Sequence, residues 1–98
     1  MTKHDFINRN KVALDLVKDT LGYRWNTEDL SGGFWGVWFA SADGYHVLVT
    51  ETDEPGGWYI GAYDPATDDE IEVLVAYTYP ALVAAVGTMM EMCREVVQ

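Results

Sequence analysis

From Trp25 through Cys93 the chain contains no lysine or arginine, although this stretch contains twelve aspartate and glutamate residues. Five of the six basic residues lie within residues 1–24, and the sixth is Arg94. A surface this acidic repels nucleic-acid phosphates, so we expect no direct binding to DNA or RNA. The net charge of −10 either serves solubility alone or supplies a negative field that attracts a basic partner protein.

Cysteine and histidine are also scarce. Cys93 is the single cysteine, which excludes an internal disulfide, and the two histidines, His4 and His46, lie far apart in the sequence. Nucleophilic catalysis needs a nucleophile within reach of a base. Neither a cysteine within an apolar helix nor two isolated histidines supply that pair. We therefore expect no catalytic residue, no cofactor and no enzyme activity.

Motifs for phosphate or metal binding are missing as well. The glycine pairs at 32–33 and 56–57 lack the lysine and the following helix of a phosphate-binding loop. Five carboxylates fall within nine positions: Asp64, Asp68, Asp69, Glu70 and Glu72. Their spacing does not match a calcium-binding loop, so we interpret them as an acidic turn and expect no metal site.

No run of residues approaches the ~20 uncharged apolar positions that a membrane-spanning helix needs. The first residues also lack the basic-then-apolar layout of a secretory signal. These absences lead us to expect a cytoplasmic (intracellular) protein without a membrane partner. Because 98 residues with a hydrophobic share of 49% suffice for one folded core, we expect a single domain over residues 1–98.

Helical periodicity is present at both ends of the chain. Over residues 3–21 the apolar side chains recur at 3.6-residue spacing, and Gly22 stands where a helix would end. A second helix opens at Thr78-Tyr79-Pro80 and runs to about Val97. Its stretch from Ala81 through Met90 contains no charge, so we expect cover on more than one side. That cover is either the sheet and the first helix or a sister subunit in a homodimer.

Between the helices the sequence is typical of β-structure. Turn signals separate four predicted strands: Phe34–Ser41, Tyr45–Thr52, Trp58–Tyr63 and Glu70–Tyr77. Short connections between successive strands predict an antiparallel meander. The expected fold is α+β in the order α-β-β-β-β-α, with both helices packed on one face of a four-stranded sheet.

The alternation of side chains then predicts which residues lie on the uncovered face of that sheet. The expected outward positions are Phe34, Trp38, His46, Leu48, Thr50, Tyr59, Tyr63, Glu70, Glu72 and Leu74. Tryptophan and tyrosine are enriched where proteins bind one another. From this face and the adjoining acidic turn we predict a partner-binding set: Trp38, His46, Leu48, Tyr59, Tyr63, Asp68, Asp69, Glu70 and Glu72.

In size and charge the chain resembles the small acidic α+β proteins that phages and mobile elements use to block host nucleic-acid-binding enzymes. That resemblance implies an inhibitor of a basic partner protein that works by nucleic-acid mimicry. Alternate residues on one strand face lie ~6.6–6.8 Å apart, so Glu70 and Glu72 would begin a row of anions. The alternatives are a dimeric acidic chaperone or adaptor and a structural phage or scaffold component.

Overall fold

The computed structural model describes residues 2–41, 44–53, 56–64, 67 and 69–97, with side chains for all of these except 41, 44–46 and 94–97. Its elements are α1 Lys3–Leu21, β1 Arg24–Asp29, β2 Trp35–Ser41, β3 Gly44–Glu51, β4 Trp58–Tyr63, β5 Glu70–Ala76 and α2 Tyr79–Val97. The strands form one antiparallel sheet in the order β1-β2-β3-β4-β5. The predicted α+β class and meander are confirmed, with one strand more than expected.

α1 begins and ends at the residues that its sequence indicates. The Thr2 hydroxyl accepts a hydrogen bond from the Asp5 backbone N–H at 3.1 Å, and the Asp5 carboxylate accepts one from the Thr2 N–H at 3.4 Å. This reciprocal pair is a capping box. Gly22 has a φ of 77°, which glycine adopts readily, and its N–H donates to the Lys18 carbonyl at 2.8 Å. The helix therefore ends where a glycine was expected to end it.

β1 is the strand that we did not predict. Apart from Trp25 its residues are polar, so it lacks the β-branched and aromatic composition of the other strands. A turn at residues 31–33 connects it to β2, and all three φ angles there are positive, at 68°, 64° and 81°. The Leu30 N–H donates to the Phe34 carbonyl at 2.9 Å and closes the hairpin. The glycine pair at 32–33 therefore serves a tight turn at the edge of the sheet.

One apolar layer fills the space between the helices and a single face of the sheet. The α2 backbone lies close to β3, β4 and β5, and the α1 backbone lies close to α2 and β1. Fully buried members of the layer include Phe6, Leu14, Val17, Val37, Phe39, Val47, Ile60, Leu82, Val86 and Met89. Both helices thus lie on the same face, as predicted. Within the described residues no element covers the opposite face.

The side-chain orientation in β5 differs from the prediction. A register shift at Ala62 and Tyr63 places Glu70 opposite Tyr63 but Glu72 opposite the buried Ala62. Because an irregularity of one residue moves later side chains to the other face, the two glutamates are separated. Leu74 likewise pairs with buried Ile60 and lies on the helix side, whereas Val73 and Val75 lie on the outer side. The prediction that Glu70, Glu72 and Leu74 share the outer face is wrong.

The uncharged stretch of α2 is covered within the chain. Its buried residues are Leu82, Ala85, Val86, Met89 and Met90, and its exposed ones are Ala81, Ala84 and Thr88. Since the exposed side consists of small residues, internal packing accounts for the absence of charge. Self-association through α2 stays a prediction. No helix in the described part of the chain is long and apolar enough to cross a membrane.

Two valines of α1 provide a matched test of the apolar layer, because Val17 is 0% exposed and Val12 is 66% exposed. Val17→Ala removes two buried methyl groups and should lower the free energy of unfolding by about 2 kcal/mol. Val12→Ala makes the same change in solvent and should alter it by less than about 0.5 kcal/mol. Urea denaturation measures both values. Equal losses in the two variants would contradict this placement of the layer.

Candidate functional site

The face of the sheet turned away from the helices is called the open face. Residues paired across antiparallel strands project to the same side, so the register identifies its members. One row contains Asn26, Trp38, Leu48, Gly61 and Val73, and the next contains Glu28, Gly36, Thr50, Tyr59 and Val75. Tyr63 and Glu70 complete the open face beside Val73. Aromatic and aliphatic side chains alternate with glycines in these rows, with one carboxylate near each edge. Arg24 of β1 pairs with Ala40 and projects to the same side as Asn26 and Glu28.

Trp38 lies within the first of these rows and is held on two sides. Its indole N–H donates a hydrogen bond to the Glu28 carboxylate. Its ring meets the Tyr63 ring edge to face, with centroids 5.4 Å apart and planes at 66°. Burial, and then the neighbouring Glu70 carboxylate, raise the pKa of the Tyr63 hydroxyl. Each carboxylate of the open face therefore lies next to an aromatic side chain rather than next to the other carboxylate.

Several apolar side chains of this surface are exposed to solvent. Phe34 is 63% exposed, Val75 45% and Tyr59 42%. Phe34 and Tyr59 line, with Leu30 and Thr50, a shallow cavity of about 330 Å³ at the margin of the open face. Covering apolar surface of this kind with a partner is favourable, because water is released from it. The arrangement is therefore suited to binding a macromolecule.

The structure brings together five of the nine residues predicted to contact a partner: Trp38, Leu48, Tyr59, Tyr63 and Glu70. Glu72 lies on the helix side of the sheet and does not join them. Asp69 is exposed in the turn before β5, where its carbonyl accepts a hydrogen bond from the Asp64 N–H at 2.8 Å. The His46 side chain and Asp68 lie outside the described residues.

A second concave surface, which we did not predict, lies where β3 ends and β4 and α2 begin. It has a volume of about 660 Å³, and its walls include Asn10, Glu51, Asp53, Trp58, Tyr77 and Tyr79. We call it the end groove. Its volume falls in the range of roughly 300–1,000 Å³ that is typical of small-ligand sites.

Asn10 of α1 connects this helix to β3 and β4 at the end groove. It is 4% exposed, its Nδ2 donates to the Phe6 carbonyl at 3.0 Å, and its Oδ1 accepts from the Trp58 indole N–H at 2.9 Å. The Glu51 carboxylate accepts hydrogen bonds from Asn10 and, at 2.8 and 2.5 Å, from Arg9. One signal for this network was present in the sequence. Asn10 is a polar residue on the apolar stripe of α1, four positions after Phe6.

Two tyrosines form the outer walls of the end groove. The Tyr79 ring lies 5.9 Å from the Trp58 ring, centroid to centroid. Tyr77 lies against Gly57, where a Cβ atom would meet the Tyr77 ring at 2.8 Å and the Thr52 hydroxyl at 2.5 Å. Glycine at 57 is therefore required for the close approach of this ring. Both tyrosines are exposed to solvent.

The groups with nucleophilic or basic chemistry are dispersed. Cys93 is buried, its thiol donates to the Tyr63 carbonyl at 3.7 Å, and burial raises the pKa of the thiol. A raised pKa disfavours the reactive thiolate. His4 is exposed near the start of α1, with its Nε2 3.0 Å from the Asn8 amide nitrogen. Over the residues that the structure describes, no three His, Cys, Asp or Glu side chains are grouped so as to hold a metal ion.

Comparison of the chain with protein-family models, with curated proteins and with solved structures finds no match. The functional assignment therefore depends on the geometry and charge of the open face and the end groove.

Asn10 should contribute measurably to stability, because its removal leaves the buried Trp58 indole N–H without its acceptor. Asn10→Ala is expected to lower the free energy of unfolding by about 1–3 kcal/mol. Asn8→Ala, an exposed change two positions earlier, should cost less than about 0.5 kcal/mol. Chemical denaturation followed by tryptophan fluorescence compares the two variants. A cost at Asn10 no larger than that at Asn8 would show that the network does not stabilise the fold.

Glu51 should make stability depend on pH. Hydrogen bonds from Arg9 hold the pKa of the Glu51 carboxyl below its ordinary value of 4.5. A depressed folded-state pKa stabilises the protein above the unfolded-state pKa, and this stabilisation is lost as the pH falls through the folded-state pKa. The stability difference between wild type and Glu51→Gln should therefore be largest at neutral pH and shrink below pH 4.5. Urea denaturation across this range measures it, and a constant difference would contradict the ion pair.

Proposed function

We propose that the chain is a non-enzymatic binding protein whose open face docks onto a basic partner protein. The observation that carries this proposal is the exposed aromatic and aliphatic surface on the side of the sheet opposite the helices. Phe34, Tyr59 and Val75 lie there, around the more deeply set Trp38 and Tyr63. A centre of this composition with a polar margin is typical of protein–protein interfaces.

The charge of the molecule supports a basic partner. Glu28 and Glu70 lie on the open face, and Asp53 and Asp69 are exposed in turns beside it. The lysines lie on α1, on the other side of the sheet, and these four carboxylates outnumber Arg24, which the register places on the open face. A partner with basic residues around its contact surface would thus be attracted to the open face. Such complementarity mainly increases the rate of association.

Trp38 and Tyr63, the aromatic centre of the open face, are held in position by contacts within the chain before any partner binds. The Glu28 carboxylate orients the Trp38 indole, and the Trp38 ring already packs edge to face with the Tyr63 ring. Fixed side chains lose little conformational freedom on binding, so more of the contact energy remains as affinity. Trp38 and Tyr59 are the residues that we propose as anchors.

The proposed partner binds nucleic acid, because such proteins present the required basic surface. Docking of the open face would cover part of that surface and inhibit or modulate the partner. Because Glu72 lies on the other side of the sheet from Glu70, the proposal does not include a row of anions formed by these two residues. Recognition instead combines an aromatic centre with a dispersed acidic margin.

Glu70 and Glu72 provide a matched test, because they lie on one strand but on opposite faces. A partner is captured from host lysate at low salt, identified and purified, and its binding kinetics are measured. Glu70→Lys should slow association and reduce its salt dependence more than Glu72→Lys does. Tyr59→Ala should weaken binding by about 1–3 kcal/mol, mainly through faster dissociation, whereas Val12→Ala should not.

Three results would contradict the proposal. Binding that survives both Glu70→Lys and Tyr59→Ala but is lost on Lys11→Glu would place the contact on α1. Binding that is insensitive to salt would indicate an apolar chaperone or adaptor contact. A dimer in sedimentation that dissociates on Tyr59→Ala would show that a second copy of the chain occupies the open face.

A further inference from the structure

The end groove combines aromatic rings with carboxylates. Trp58, Tyr77 and Tyr79 line it, together with Asp53 and with Glu51, whose charge is offset by Arg9 in the same wall. Aromatic faces attract organic cations, and a carboxylate nearby adds a charged hydrogen-bond acceptor. Among the natural side chains, the guanidinium of arginine suits such a surface best, because it is flat, weakly hydrated and able to stack on a ring.

The end groove is poorly suited to an anion, although Arg9 and the start of α2 both border it. Arg9 already forms two hydrogen bonds with the Glu51 carboxylate. At the start of α2, Pro80 has no N–H, and the next two N–H groups donate to Thr78 at 3.2 and 2.9 Å. The Arg9 guanidinium and these two N–H groups, which could otherwise hold a phosphate or carboxylate, are therefore engaged within the chain.

The walls of the end groove are fixed by contacts beneath them. Asn10 holds the Trp58 indole by a hydrogen bond of 2.9 Å. The Gly57 backbone supports the Tyr77 ring, since no side chain separates them. A groove with positioned walls binds a ligand without first ordering its own side chains.

The end groove is also continuous with the margin of the open face. Glu51 and Asp53 border both the end groove and the shallow cavity that contains Phe34 and Tyr59. A protein docked on the open face would therefore have the end groove within reach of its side chains.

We infer that the end groove anchors an arginine side chain of the basic partner, as a second contact beside the open face. This inference rests on the proposed function for the identity of the partner, but the chemistry of the end groove can be measured separately. The guanidinium would lie against the tyrosine rings and pair with Asp53.

The protein contains a separate reporter for each surface. The Trp58 indole N–H is bonded to Asn10 in the end groove, and the Trp38 indole N–H is bonded to Glu28 on the open face. Acetyl-Gly-Arg-Gly-amide is titrated into the full ¹⁵N-labelled chain at low salt, and the indole N–H resonances are followed. The Trp58 resonance should shift and saturate while that of Trp38 stays in place. The citrulline analogue of the peptide, which lacks the charge, should cause no shift.

Variants then identify the groups that bind the peptide. Tyr77→Leu and Tyr79→Leu should each weaken binding by about three- to tenfold. Asp53→Asn should also weaken peptide binding. Asp19→Asn removes the same charge near the C-terminal end of α1, outside the end groove, and should not weaken peptide binding. An unchanged amide spectrum outside the end groove shows that a variant is folded. Asp53→Asn is a surface change and keeps the test valid where a tyrosine variant does not fold.

Three outcomes overturn the inference: no shift of the Trp58 resonance, an equal shift with the citrulline peptide, or tyrosine variants that bind as wild type does. If methylguanidinium binds more tightly than the peptide, the ligand of the end groove is a small molecule and not the side chain of a partner protein, which also overturns the inference. If the peptide still shifts the Trp58 resonance but the open-face variants leave the affinity for the captured partner unchanged, only the proposed function is refuted. Intact docking on the open face without any Trp58 response would refute the end-groove inference alone.

Discussion

Burial of one apolar layer, between both helices and a single sheet face, is the constraint from which the rest of the structure follows. A domain of this size buries only about 60–65% of the surface that its unfolded chain exposes, so it has material for one such layer. α1 and α2 both contribute to that layer, as Val17 and Val86 show by their complete burial. The other face of the sheet is consequently left to solvent. Its side chains are nevertheless carried by strands whose other face packs into this layer.

The parts of the fold that could be predicted are those with strong local patterns. The apolar stripe and Gly22 define α1. Along β4, Tyr59 and Tyr63 occupy the positions that alternate with Ile60 and Ala62, so the orientation of the two tyrosines was predicted correctly. β5 could not be oriented in this way, because both of its faces contain aliphatic residues and the register shift near Glu70 leaves no mark in the sequence. β1 was not predicted because five of its six residues are polar, which an edge strand tolerates.

The end groove could not be predicted at all. Its central hydrogen bond joins Asn10 to Trp58, which are 48 positions apart in the chain. The periodicity of apolar residues predicts local structure and gives no information on contacts between such distant positions. Asn10 on an apolar stripe indicated a buried polar contact but not its partner. The open face was easier to predict, because its residues come from successive strands in which the alternation of side chains can be followed in the sequence.

The lysines lie on one side of the molecule, whereas carboxylates lie on both, since Asp5, Asp15 and Asp19 are also on α1. Lys3, Lys11 and Lys18 are exposed on α1, while the acidic residues of the open face and its turns lie beyond the sheet. Of the ion pairs between described residues, Arg9–Glu51 connects α1 to the sheet and Lys11–Asp15 stays within α1. The open face and its turns therefore present carboxylates without a lysine, which favours the approach of a cation.

The confinement of the lysines to α1 also determines how the molecule can be attached to a surface. The chain has three lysines, all on this one helix, and all are exposed. Reagents that couple through lysine amines, such as biotin esters or activated sensor chips, would fasten the protein by its helical side. Every immobilised molecule would then present its sheet outward in a common orientation. Coupling through carboxylates would scatter the attachment points over both helices, the sheet and its turns.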